Sequence, residues 1–220
     1  ALMGPEAARI VSECGAPELN ELGYFRVGPA HIAGKHVRAA RLSYVGEAGW
    51  EITMKAKNSA VIYKALANVG AKPAGLYAQT SMRIEKGFCA MGHELDSDVT
   101  PIDAGLDFAT RKAGGFIGAE ALAERRKKRG SSSLVSLKFH DETAIPLGHE
   151  PIYNDGKIIG KTSSCAFGYR IGKPVALGMV RQHATSGITV QVDIARQFFD
   201  ATLVTRPLYD PEGIRMKSYE

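Results

Sequence analysis

The 220-residue sequence lacks most of the features that assign a function quickly. No window reaches the roughly 18 apolar residues of a membrane-spanning helix, so no membrane is expected as a partner. The opening "ALMGPEAARI" has neither the charged start nor the apolar core of a secretory signal peptide. With Ala at position 1, the chain reads as a piece of a longer protein, and its first residues read as domain interior. Cys14, Cys89 and Cys165 are odd in number and widely spaced, with no CxxC pair. That pattern argues against a disulfide framework or a zinc site. It favours structural thiols in a reducing compartment, here expected to be the cytoplasm.

Motifs for common chemistries are also missing. No GxGxxG follows a strand and no GxxxxGK(S/T) occurs, so nucleotide sites of those types have no support. GxSxG and HExxH are absent. "DSDVT" at 96 to 100 mimics the DxDxT of aspartyl-phosphate phosphatases, but "GHEL" precedes it where that chemistry needs a buried strand. Pro101 stands where a calcium loop needs glycine for its sharp turn. His93, beside Glu94, has the titration range of a general base, but no nucleophile or second ligand is spaced for it. His31, His36, His140, His149 and His183 are too scattered along the sequence to define a metal cluster, and no metal is expected.

Apolar content of 45% and charged content of 23% are ordinary for a globular protein. Much of the net charge of +5 sits in "ERRKKRG", residues 124 to 130. A basic run at a helix end complements the negative end of the helix dipole. No aromatic-and-basic module surrounds it, so nucleic acid is not an expected partner. The cationic character would still attract anionic ligands such as polyglutamate tails.

The order of elements predicts an α+β first part and a β second part, divided near "RGSSS". "HVRAARLSYV" and "WEITM" read as strands around the turn "GEAG". Asn58 opens a helix with Val61, Ile62, Ala65, Leu66 and Val69 on one stripe and Gly70 as its stop. A second helix runs roughly from Leu76 to Lys86 and ends at Gly87. A third, within "FIGAEALAERRKKRG", ends before Gly130. Beyond that point short strands dominate. Asp155-Gly156 between two apolar runs signals a two-residue hairpin. "SLVSLKFH", "VALGMVRQ", "ITVQVDI" and "ATLVTRPLY" supply further strands, as in a small sandwich or barrel.

One constellation stands out. "RLSYVGEAGWEITM" crowds Tyr44, Glu47, Trp50 and Glu51 into a single hairpin. Successive strand residues face opposite ways, so if Trp50 packs inward Glu51 points to the other face. A covered carboxylate there would need a partner with adjacent N–H donors. The plain alternatives are a solvated Glu51 or a Glu51–Arg83 ion pair.

"ALMGPEAA", "LSYVGEAGWEI", "AKPAGLYAQTSMRIEKG", "GHELDSDVTPIDAGLDF" and "GGFIGAEAL" follow the order and spacing of the aminomethyltransferase family. That family includes the glycine cleavage T-protein and the folate-binding regions of sarcosine and dimethylglycine dehydrogenases. "IPLGHEPIYNDGKIIGKTSS" and "GKPVALGMVR" resemble its C-terminal barrel. "MRIEKGF" and "GHELDSDVTPIDAGLDF" look closer to the dehydrogenase branch. "CAM" at 89 to 91 and "SSCAFGY" depart from the usual pattern, which bears on substrate specificity.

The resemblance implies an α+β fold. Residues 1–130 would be the second half of a folate-binding aminomethyltransferase domain, and 131–220 a small C-terminal β-barrel domain. It implies tetrahydrofolate as cofactor and a small amine as substrate. FAD would belong only to an upstream domain of a dehydrogenase-type parent. Glu51 would take the pterin donor edge. Tyr44, Arg83 and, near the C-terminal end, Tyr209 would line the same pocket, while Glu47 shapes the turn and Trp50 enters the core. The family's catalytic acid would lie upstream of Ala1, so no catalytic residue is expected within the chain and the chain alone is expected to be inactive. A non-catalytic folate-binding or regulatory module, and a scaffold that has lost its ligand, are the competing expectations. A sheet edge left by missing upstream strands would be a route to a homo-oligomer.

Overall fold

The computed structural model describes residues 1–127, 132–181 and 185–218, which form two units. The first comprises Ala1–Gln79 with Glu212–Glu220. Its four-stranded antiparallel sheet has the order β1-β4-β3-β2, formed by β1 (Leu2–Met3), β2 (Val27–Ile32), β3 (Lys35–Ala40) and β4 (Gly49–Met54). One face of that sheet is dry. Val37, Ala39 and Trp50 pack there with Ile10 and Val11 of α1 (Ala7–Glu13) and Ile62 of α2 (Ser59–Asn68). Along α2 the expected stripe forms, with Ala65, Leu66 and Val69 against the same core, but Val61 turns outward. Gly70 stops the helix in a left-handed conformation, φ 104°.

The expected tight "GEAG" turn is instead an eight-residue connection from 41 to 48. Its side chains bond both to distant carbonyls and within the connection. The Arg41 guanidinium donates to the Leu22 and Lys217 carbonyls, both at 2.9 Å, and the Ser43 hydroxyl accepts from the Val45 and Gly46 amides. The pairing of β3 with β4 ends at Ala40, while the Arg41 backbone still bonds to Arg26 and Phe25 just before β2. Lys217 belongs to a short helix, α5 (Ile214–Lys217).

The second unit, Thr80–Pro211, contains the closed barrel with strand order β10-β5-β8-β7-β6-β9. Its strands are β5 (Ser133–Phe139), β6 (Pro151–Asn154), β7 (Lys157–Gly168), β8 (Lys173–Val180), β9 (Thr189–Ile194) and β10 (Gln197–Val204). Val135, Leu137 and Phe139 of β5 all face the barrel core, as their alternation predicts. Asp155 and Gly156, with φ of 49° and 72°, make the two-residue turn between β6 and β7. Among the described residues two α-helices also contribute to this region. The first is α3 (Leu76–Glu85), whose last part from Thr80 belongs to this unit, and the second is α4 (Ala119–Lys127). Gly87 follows α3 with φ 70°. Gly130, the expected stop after α4, lies outside the described residues, as do part of "RGSSS" and His183.

Close strand packing leaves no room at Gly160 on β7. A Cβ there would overlap the Met179 carbonyl oxygen and lie 2.7 Å from Val180 Cα. Both neighbours are backbone of β8 and cannot rotate away. Gly160→Ala should therefore destabilise the barrel by about 1–3 kcal/mol, the usual cost of overpacking. Hydrogen exchange of β7 and β8 amides would show it as faster opening, while β3 and β4 amides stay unchanged.

Candidate functional site

Strand alternation separates the two neighbouring residues of β4. In β4, Trp50 is fully buried and its indole N–H donates to the Leu19 carbonyl at 3.2 Å. Glu51 therefore points to the opposite face, opposite Ala40, and is exposed. Among the described residues nothing donates a hydrogen bond to its carboxylate and no cation pairs with it. Tyr44, in the connection before β4, is half-buried, and its amide donates to Met3 Sδ at 3.4 Å. Glu47 is buried within the same connection.

Arg83 is not a free cation waiting for Glu51. Its side chain is buried on α3, donating to Glu94 Oε2 at 2.8 Å, to the Ser164 hydroxyl at 2.6 Å and to the Phe88 carbonyl at 3.1 Å. The Glu94 carboxylate, with no solvent exposure, also accepts from the Ser163 hydroxyl at 2.6 Å and the Ala90 amide at 3.0 Å. Burial pushes the Glu94 carboxyl up. The hydroxyls of Ser163 and Ser164, the Ala90 amide and the Arg83 charge outweigh it, so the group titrates below its ordinary value.

Consecutive strand residues normally face opposite ways, yet Ser163 and Ser164 both reach this pair. The register between β7 and β8 shifts between Thr162 and Cys165. That bulge turns two neighbouring hydroxyls to the same side. The departure "SSCAFGY" noted in the sequence is thus the segment that completes the Arg83–Glu94 pair.

Tyr209 joins a second polar cluster on the same unit. Its amide donates to the Glu85 carbonyl at 2.9 Å, and the Arg170 guanidinium lies 3.7 Å over its ring centre. Arg170 is held in turn by an ion pair to Glu85, with its own amide 2.7 Å from Glu85 Oε1 and its side chain donating to the Met82 carbonyl at 2.8 Å. Lys86 pairs with Asp210 at 2.9 Å. Arg83 and Tyr209 are therefore linked through the last turn of α3, and Tyr44 and Glu51 through the β3–β4 region of the other unit. Sequence reasoning missed Glu85, Glu94, Arg170 and the serine pair. Only the polar density of "SMRIEKG" hinted at them, since a helix end with so few apolar residues must bond elsewhere to be buried.

His93 is exposed, and Asp96 caps its own loop by accepting from the Asp98 and Val99 amides, with no buried strand before it. None of the three cysteines is in a disulfide. Burial and the nearby Glu94 push Cys89 to about 11, and burial and Glu150 push Cys165 to about 12, so neither supplies a thiolate near neutrality.

Two family models account for the chain in order. Residues 1–114 match the GCVT N-terminal domain, and residues 133–210 match the glycine cleavage T-protein C-terminal barrel domain. The chain belongs to the glycine cleavage T-protein family. Dimethylglycine dehydrogenase from Rattus norvegicus is 31% identical over 97% of the chain, and an aminomethyltransferase from Rubrobacter xylanophilus is 32% identical over 97%. The crystal structure of glycine cleavage system aminomethyltransferase T from Bartonella henselae superposes with a TM-score of 0.82 at 27% identity, over 93% of the chain. The chain spans 58% of the aminomethyltransferase and 26% of the dimethylglycine dehydrogenase. Among the described residues no helix is long and apolar enough to cross a membrane.

The Glu94 carboxyl sets a pH dependence. Its folded value lies below its unfolded one, so its contribution to stability is present above about pH 4.3 and is lost as pH falls through the folded value. Glu94→Gln strands the Arg83 charge and should cost about 3–5 kcal/mol at pH 7. Urea unfolding at pH 7 and pH 3.5 should show that difference shrink at the lower pH, where the unfolded carboxyl takes up a proton that the native one resists.

Proposed function

We propose that the intact protein transfers a one-carbon unit from a small amine to tetrahydrofolate, and that this chain supplies binding residues for the folate. In this reading residues 1–130 are the second half of the folate-binding domain and 131–220 its barrel domain. Family membership supports the reading. So do relatives named aminomethyltransferase and dimethylglycine dehydrogenase.

The observation that carries it is the state of Glu51. Its carboxylate is exposed and unpaired among the described residues, on a strand whose other face is anchored by a fully buried tryptophan. Its two oxygens suit a ring N–H beside an exocyclic amino group, the donor edge of a pterin. Tetrahydrofolate, when bound, supplies the nitrogen that accepts the one-carbon unit. The chain's own residues bind and orient. Glu51 accepts from the pterin edge and Tyr44 offers aromatic surface, while in the second unit the ion pair of Arg83 with Glu94 keeps Arg83 fixed on α3. Holding reactants in register accounts for a large part of such catalysis. Proton transfer falls to an acidic residue outside this chain, and FAD to a separate upstream domain where the parent is a dehydrogenase. Three cysteines outside any disulfide favour a reducing compartment.

Titration calorimetry of 5-formyltetrahydrofolate against the chain and its Glu51→Ala variant tests this. Loss of two hydrogen bonds to a charged acceptor should weaken binding at least tenfold. Equal affinities for the two proteins would remove Glu51 from the site.

A further inference from the structure

The hairpin of β2 and β3 brings together two histidines that the sequence leaves five residues apart. His31 and His36 are direct partners in the antiparallel register. The turn between the strands is Ala33-Gly34, with φ of 49° and 70°, both left-handed. A two-residue turn of this kind is closed by a hydrogen-bonded pair, here Ile32 and Lys35. The next pair outward is then a non-hydrogen-bonded one, where cross-strand side chains stand closest. His31 and His36 occupy that pair. Ile32 is fully buried and anchors the inner face of the hairpin, while both imidazoles are exposed on the outer face.

Their ring centres are 5.4 Å apart with an interplanar angle of 78°. A metal–nitrogen bond of about 2.0–2.1 Å places each ring centre roughly 3.2 Å from a shared ion. Two rings on one ion then lie about 4.5 Å apart at a right angle, about 5.2 Å at the tetrahedral angle and about 6.4 Å when opposed. The observed separation falls within this range and close to the tetrahedral value. We propose that His31 and His36 form a two-histidine chelate for a borderline divalent transition-metal ion of the Cu²⁺, Ni²⁺ and Zn²⁺ class.

Imidazole nitrogens favour these ions over Mg²⁺ and Ca²⁺, which prefer oxygen. Among the described residues no group of three or more metal-ligating side chains converges, so solvent completes the coordination. The nearest charged residue along the same face of β3 is Arg38, so nothing there adds a carboxylate ligand. The hairpin carries the chelate instead. A tight turn, a paired register and a buried inner face fix the two backbone positions from which the imidazoles project.

The test is titration of CuCl₂, NiCl₂ and ZnCl₂ into the metal-free chain, with the variants His31→Asn, His36→Asn and the double variant. The chelate predicts one high-affinity ion per chain, with Cu²⁺ bound tightest. Each single variant should weaken that site at least tenfold, and the double variant should be no worse than threefold below either single one. Unchanged affinity in the variants, or independent losses of about twofold each, would overturn the proposal. Electron paramagnetic resonance of the Cu²⁺-loaded protein gives a reading that needs no variant. Coupling to two imidazole nitrogens supports the chelate, and coupling to one rejects it.

Discussion

An arginine and a glutamate removed from water organise the second unit. Neither charge is tolerable there alone, because burying an unpaired ion costs several kcal/mol. Arg83 and Glu94 satisfy one another, and the pair recruits what remains: two serine hydroxyls, one amide and one carbonyl. Those partners come from the loop after α3 and from β7, so the pair fixes the helix end, the loop and the strand at once. Glu85 repeats the pattern two residues along, holding Arg170 and, through it, the ring of Tyr209. Such a pair is a better device for choosing one arrangement than for adding stability, since an apolar replacement of both partners would often be as stable.

The first unit works by a different logic. Its sheet has one dry face, and strand alternation leaves every second residue for other uses. Trp50 anchors the inner face so firmly that its neighbour is free to remain an open carboxylate. The aromatic anchor and the ligand candidate are one strand step apart because each requires the face that the other cannot use.

Local chemistry was the legible part of the sequence. Asp155-Gly156 specifies its own turn conformation, and the alternation in "SLVSLKF" specifies which face of β5 enters the core. The stripe on α2 was readable for the same reason, apart from Val61. Elements whose form depends on distant partners were not. The connection from 41 to 48 follows from Arg41 reaching the Leu22 and Lys217 carbonyls, which no short window reveals. Strand β2 was obscured by Gly28 and Pro29, which weaken a strand pattern but are acceptable on an edge strand, where β2 lies. At the candidate site, the positions of Trp50 and Glu51 on opposite faces followed from period-two reasoning. The partner of Arg83 did not, because a bulge in β7 decides it.

The same bulge has a kinetic consequence. Ser163 meets a carboxylate 69 residues earlier in the chain, and Ser164 meets an arginine 81 residues earlier. Contacts across such spans close large loops, and their entropic cost delays them relative to helices and hairpins. During synthesis α3 and the loop carrying Glu94 leave the ribosome well before β7 does. Their charges must stay hydrated until the barrel strand arrives to receive them. The end of α3 is thus one of the last parts of the chain to reach its native environment, although it is among the earlier parts to be made.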